Sequence, residues 1–144
     1  MAFSAEFAGD LLKLLLHGQA IASLAQNHSS PAQALYLALH TADPGAGGNQ
    51  STHEVNYTGY ARVALQRSAA GWSITGNKAT LANTVEFGEM TGGAGGTATH
   101  VSIGTNVSGT GKVLLRAALS HPIEYRNGSA ARLRQSTSIT VLTS

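Results

Sequence analysis

The residues of this 144-residue chain with chemistry to offer are a Gly-Thr-Gly-Lys run at 109–112, six histidines and seven carboxylates. A phosphate-binding loop needs another Gly, separated by four residues from the Gly-Lys pair, and a Ser or Thr directly after that pair. Only then do successive backbone N–H groups wrap the anion in front of a helix. Asn106 and Val113 occupy those two places, and the segment that follows alternates like a strand, so the phosphate reading fails. No histidine has a second one two, three or four residues away, which removes the usual zinc spacings. His40 with Asp43 is the closest metal-like pair, but Asp43 stands in Thr-Ala-Asp-Pro-Gly, where a carboxylate is expected to cap a turn through backbone N–H groups.

The nucleophile search is also negative. Cysteine is absent, which excludes disulfide frameworks, thiolate nucleophiles and thiolate metal sites together. No Gly-x-Ser-x-Gly elbow presents a serine. Glu86 and Glu89 are close in sequence but belong to a surface-like Glu-Phe-Gly-Glu turn. A glycosidase would require a cleft holding two of Glu54, Glu86, Glu89 and Glu124. The expectation is a protein that is not an enzyme and carries no cofactor and no metal.

Charge argues in the same direction. Only 11% of residues are charged, against about 25% in an average globular protein. Sparse charge gives little repulsion between copies, which suits a protein packed into an assembly. Residues 1–60 carry a net −3 and residues 111–144 a net +4. The five basic residues of that last segment are dispersed, and only Tyr125 beside Arg126 offers an aromatic platform, so no nucleic-acid partner is expected. The Leu-rich run near the start is interrupted by Asp10, Lys13, His17 and Gln19, and no basic residue precedes it. It reads as neither a membrane span nor a signal peptide.

Two kinds of element must position whatever the chain does. From about Ser4 to Gln26, Phe3, Phe7, Leu11, Leu14 or Leu15, and Ile21 recur at steps of three and four. Glu6, Asp10, Lys13 and His17 form the opposite polar line, which predicts an amphipathic N-terminal helix. Gly9 and Gly18 weaken it by about 1 kcal/mol each relative to Ala, and Gly18 marks a candidate break. From Ala34 the period changes to two. Leu35, Leu37 and Leu39 alternate with Tyr36, Ala38 and His40, and Ala61, Val63 and Leu65 alternate with Arg62, Ala64 and Gln66. Short runs at 72–75, 79–81 and 84–87 follow. Further strands are expected at 99–104 with Val101 and Ile103 inward, at 113–119 with Val113, Leu115, Ala117 and Leu119 inward, and at 137–142.

Gly- and Asn-rich turns separate these runs, and Ala42 to Thr58 is a long polar excursion. The fold class is therefore mainly β: one domain over 1–144, with a helical segment at 1–28 and an antiparallel β-sandwich at 34–144. Its seven or eight strands would suit a jelly roll. The apolar helix face (Phe3, Phe7, Leu11, Leu14) and the dispersed basic residues Arg126, Arg132 and Arg134 form the candidate partner interface.

Several stretches carry a resemblance: Tyr36-Leu-Ala-Leu-His-Thr-Ala-Asp-Pro-Gly45, Gly59-Tyr-Ala-Arg-Val63, Gly71-Trp72 and Ala98-Thr-His-Val-Ser-Ile-Gly104. Together they resemble a family of small tailed-phage virion proteins described as tail-fibre-like or as capsid decoration proteins, most closely its capsid-cementing members. The resemblance implies a homodimeric jelly roll on the outer capsid surface of the virion, made in the host cytoplasm, that bridges neighbouring major capsid proteins and braces the shell against packaged DNA. The alternative is a protein of the tail tip or tail fibre, in contact with host glycans. The family brings no catalytic residues to transfer, and Pro122 to Ser144 lies outside the resemblance.

Overall fold

A computed structural model of the chain describes residues 4–21 and 32–143. Among them are one helix and nine strands, so the chain is mainly β with antiparallel pairing, as the alternating pattern implies. The strands group as four, three and two, rather than as the two matched four-stranded sheets of a jelly roll. The residues form two compact units, each assembled from separate stretches of chain, 1–34, 65–85 and 134–144 in the first and 35–64 and 86–133 in the second.

In the first unit, α1 (Ala5–His17) packs on a hairpin of β3 (Trp72–Thr75) and β4 (Lys78–Leu81), with β9 (Ser138–Thr140) on the far side of β4. Ser4 caps the helix by accepting a hydrogen bond from the Phe7 N–H at 3.2 Å. Gly18 ends it in the left-handed region at φ 63°, and the Gln19 N–H closes on the Lys13 carbonyl at 3.1 Å. The helix therefore stops at His17, short of the expected Gln26, because Gly18 takes a conformation that costs other residues energy.

The Arg67 guanidinium holds that end in place, donating to the Leu14 and Leu15 carbonyls at 2.7 Å each and to the Ala32 carbonyl at 2.8 Å. The buried line on α1 is Ala8, Leu12 and Leu16, which leaves Phe7, Leu11 and Leu14 half-buried. The expected apolar stripe is thus rotated by about one position. Gly9 explains the rotation, since a Cβ there would strike the Gly76 carbonyl in the β3–β4 turn. The helix approaches the hairpin through its glycine.

In the second unit, β1 (Ala34–His40) is central to a sheet of order β2-β1-β6-β7, formed with β2 (Val63–Gln66) at the unit's margin, β6 (Gly96–Gly104) and β7 (Val113–Tyr125). Leu37 pairs with Ile103 and Ile103 with Leu115, while Leu39 pairs with Val101 and Val101 with Ala117, so two apolar rows cross the sheet. Their burial fades along the rows. Leu37 and Leu39 are buried, Val101 and Leu115 half-buried, and Ala117 exposed. The expected inward line on β7 (Val113, Leu115, Ala117, Leu119) is nowhere fully buried, because an edge strand is covered from one side only.

β7 also runs six residues past the expected Leu119. Between the pairs Ala98–Ile123 and His100–Ala118 its register jumps, so residues 119–122 bulge from the ladder and Pro122 needs no ladder partner. The short pair β5 (Val85–Glu86) and β8 (Arg132–Leu133) completes the described strands, and β8 carries no alternation by which a sequence reading could find it.

Candidate functional site

The Leu-His-Thr-Ala-Asp-Pro-Gly stretch leaves β1 and opens the long polar excursion, which the second unit holds as an ordered loop. Asp43 caps it as expected, its Oδ1 accepting from the Gly45 N–H at 2.9 Å. Arg116 on β7 donates from Nη1 to both Asp43 oxygens, at 2.9 and 2.8 Å. That backbone N–H and the arginine hold the exposed carboxyl below its ordinary range.

His40 is fully buried and separately engaged. Its Nδ1 faces the Thr52 carbonyl at 2.9 Å and its Nε2 the Ser102 hydroxyl at 2.7 Å. Burial lowers its affinity for a proton, so the neutral ring donates to Thr52 and accepts from Ser102. His40 and Asp43 thus serve the loop rather than a shared ion, and among the described residues no three His, Asp or Glu side chains converge as a metal site would require.

Farther along the loop, Gln50 and Arg62 tie it to the β6–β7 connection. The Asn106 N–H donates to the Gln50 Oε1 at 2.9 Å, and the Gln50 N–H to the Thr110 carbonyl at 2.7 Å. A Cβ on Gly104 or Gly111 would collide with the Gln50 amide. Arg62 is 8% exposed. Its Nε and Nη2 meet the two Glu54 oxygens at 2.7 Å each, Nη1 donates to the Asn106 carbonyl at 3.0 Å, and Nη2 to the Gly109 carbonyl at 2.6 Å. The carboxylate in turn raises the guanidinium's proton affinity. Tyr60 donates its hydroxyl to Glu54 at 3.2 Å and accepts from the Leu39 N–H at 3.0 Å. Burial raises the proton affinity of this phenol, which stays neutral.

The Gly-Thr-Gly-Lys run is therefore a clamped connection between strands. Between residues 107–109 of the β6–β7 connection and the facing segment 51–56 opens a recess of about 430 Å³, floored by the Glu54–Arg62 pair. An aromatic cluster stands behind it. The Tyr57 and Tyr60 rings meet edge-on at 5.4 Å, Tyr57 lies 5.3 Å from Tyr125, and Tyr60 stacks on Phe87 at 6.0 Å.

Sequence reasoning placed Arg62 on an outward-facing line. It precedes β2 rather than lying in it, and its side chain is buried under the 105–110 loop. Its partners stand 8, 44 and 47 residues away, and no local pattern signals such a contact. Of Glu54, Glu86, Glu89 and Glu124, only Glu54 lines the recess, while Glu86 pairs at the surface with Arg132 at 2.7 Å. The expected interface residues are divided between the two units. Phe7, Leu11, Leu14 and the exposed Arg134 belong to the first unit, the exposed Arg126 and Arg132 to the second, and Phe3 lies outside the described residues.

No helix among the described residues is long and apolar enough to cross a membrane. A family model described as podophage GP4 fiber I protein gp80 matches residues 2–141, nearly the whole chain. No curated protein matches it.

Proposed function

The chain belongs to the podophage GP4 fiber I protein gp80 family, a family of phage structural proteins, and on that premise we propose that it is a structural component of the tail-fibre apparatus. The observation that carries this reading is the extent of the match, which spans the helix and all nine strands. The chemistry of the chain supports it. The carboxylate in its recess is neutralised by a buried arginine, and its longest loop is tied down at Asp43, Gln50 and Glu54. Such a construction holds a shape under load.

Its partners on this reading are further copies of itself and neighbouring virion proteins, met through a sparsely charged surface rich in hydroxyl and amide groups. The experiment is immunogold labelling of intact particles with quantitative mass spectrometry. Label at the tail, with a copy number set by tail symmetry, is the expected result. Label over the shell, with a copy number that scales with the major capsid protein, would overturn the fibre assignment in favour of a cementing protein.

A further inference from the structure

The turn that follows β7 holds the one Asn-Gly pair of the sequence, Asn127-Gly128. The other six asparagines are followed by His, Gln, Tyr, Lys, Thr or Val, each with a side chain that crowds the peptide nitrogen next to the asparagine. Three of them are also held by their amides. The Asn49 Oδ1 accepts from the Ser51 N–H at 2.9 Å, Asn77 donates to the Val141 carbonyl at 2.7 Å, and the Asn106 Oδ1 accepts from the Thr105 hydroxyl at 2.7 Å. Asn127 is exposed, and at Gly128 there is open space where a Cβ would stand.

The fold decides how this pair is presented. The Ser129 N–H returns to the Arg126 carbonyl at 3.0 Å, and Gly128 at φ 80° fills the third position of the turn, where a positive φ is required to close it. The Gly128 N–H donates to the Met90 carbonyl and the Met90 N–H to the Ser129 carbonyl, at 2.9 Å each, so the turn rests on a residue that is 1% exposed. One hydrogen bond therefore holds the Gly128 nitrogen away from chemistry. A bond in an exposed turn opens locally far more often than the core does.

We propose that Asn127 is a site of spontaneous deamidation, at which the Gly128 nitrogen is the nucleophile and the Asn127 side-chain amide supplies the leaving group. Once released from Met90, that nitrogen gives its proton to hydroxide and attacks the Asn127 Cγ. The new N–Cγ bond closes a five-membered imide, the Cγ–Nδ2 bond breaks, and Nδ2 leaves with a proton as ammonia. Water then opens the imide. Cleavage at Cγ restores the peptide bond and leaves aspartate, whereas cleavage at the main-chain carbonyl leaves isoaspartate, with one extra carbon in the backbone. No oxidant or reductant takes part. Either product places a carboxylate beside the Arg126 cation, so residues 126–129 pass from a charge of +1 to neutral. The extra carbon of isoaspartate lies inside the turn and breaks the match between Gly128, Ser129 and Met90.

The test ages the folded full chain in mildly alkaline buffer, well below its Tm, and follows intact mass and tryptic peptides against an unaged sample. The chain should gain one mass unit, located at Asn127, with both aspartate and isoaspartate in the peptide and a rate that rises with pH. Asn127→Ser, at an exposed position, should keep the fold by circular dichroism and lose the mass gain. Asn127→Asp adds the charge without the extra carbon, so its Gly128 and Met90 amides should stay protected from hydrogen exchange, while the aged chain loses protection there in proportion to its isoaspartate. Conversion only in urea-unfolded chain overturns the proposal. So do earlier conversion at another asparagine, aspartate as the sole product, a rate independent of pH, or full protection in isoaspartate-rich chain.

Discussion

Replacing Arg62 with Met tests the brace on which the recess depends. The substitution keeps most of the aliphatic stem and removes a guanidinium whose side chain is 3% exposed, leaving Glu54, 16% exposed, as a carboxylate without its cation. Removing one partner of a buried, hydrogen-bonded pair costs about 3–5 kcal/mol, because the remaining charge keeps its desolvation penalty. The Asn106 and Gly109 carbonyls belong to a solvent-exposed loop and can exchange the arginine for water, so they add little. For a chain of this length such a loss lowers Tm by about 10 °C.

The assay is urea unfolding followed by far-UV circular dichroism, on wild type, Arg62→Met, Glu54→Gln and the double variant. The double variant should recover about 2 kcal/mol relative to the sum of the single losses, since the stranded charge is then gone. Arg132→Met, which breaks a pair that is 65% and 55% exposed, should change stability by less than about 0.5 kcal/mol. An Arg62→Met loss no larger than that of Arg132→Met, or a cycle with no coupling, refutes the brace.

Three further outcomes follow from the packing. Burial lowers the proton affinity of His40 below its ordinary value of 6.5, so the unfolded chain takes up the proton first. Stability should hold above pH 6.5 and fall as pH drops below it, and His40→Gln should flatten that slope in unfolding curves measured across the range. Gly9→Ala would gain about 1 kcal/mol on an open helix surface but should instead destabilise by about 1–3 kcal/mol, because the added methyl meets the Gly76 carbonyl; the sign of the Tm change decides it. Leu12→Ala, at a residue 2% exposed, should cost about 2–5 kcal/mol in chemical unfolding, whereas Leu11→Ala at a half-buried position should cost clearly less.

Much of the scaffold is legible in the chain because strand and helix periodicities are local. Leu35, Leu37 and Leu39 mark β1, Trp72 to Thr75 is β3 residue for residue, and Asp43 caps its turn with an atom two residues from its partner. The lack of a phosphate-loop or zinc-pair spacing is legible in the same way, since each of those motifs is defined by spacing along the chain. The face of α1 is not legible in detail. Its period is right, but which of two adjacent apolar lines faces inward depends on how closely Gly9 lets the helix approach the Gly76 carbonyl.

The recess lies wholly on the other side of that division. Arg62 occupies an outward phase of an alternating run, and the Gly-Thr-Gly-Lys connection reads as an ordinary turn. A buried ion pair takes its stability from exclusion of water by chain that arrives from elsewhere, here from residues 44 and 47 positions away. Periodicity along the backbone decides which segments become helix or strand. Only the tertiary structure decides which loops face one another, and thereby which polar side chains are desolvated and which are left to meet a partner.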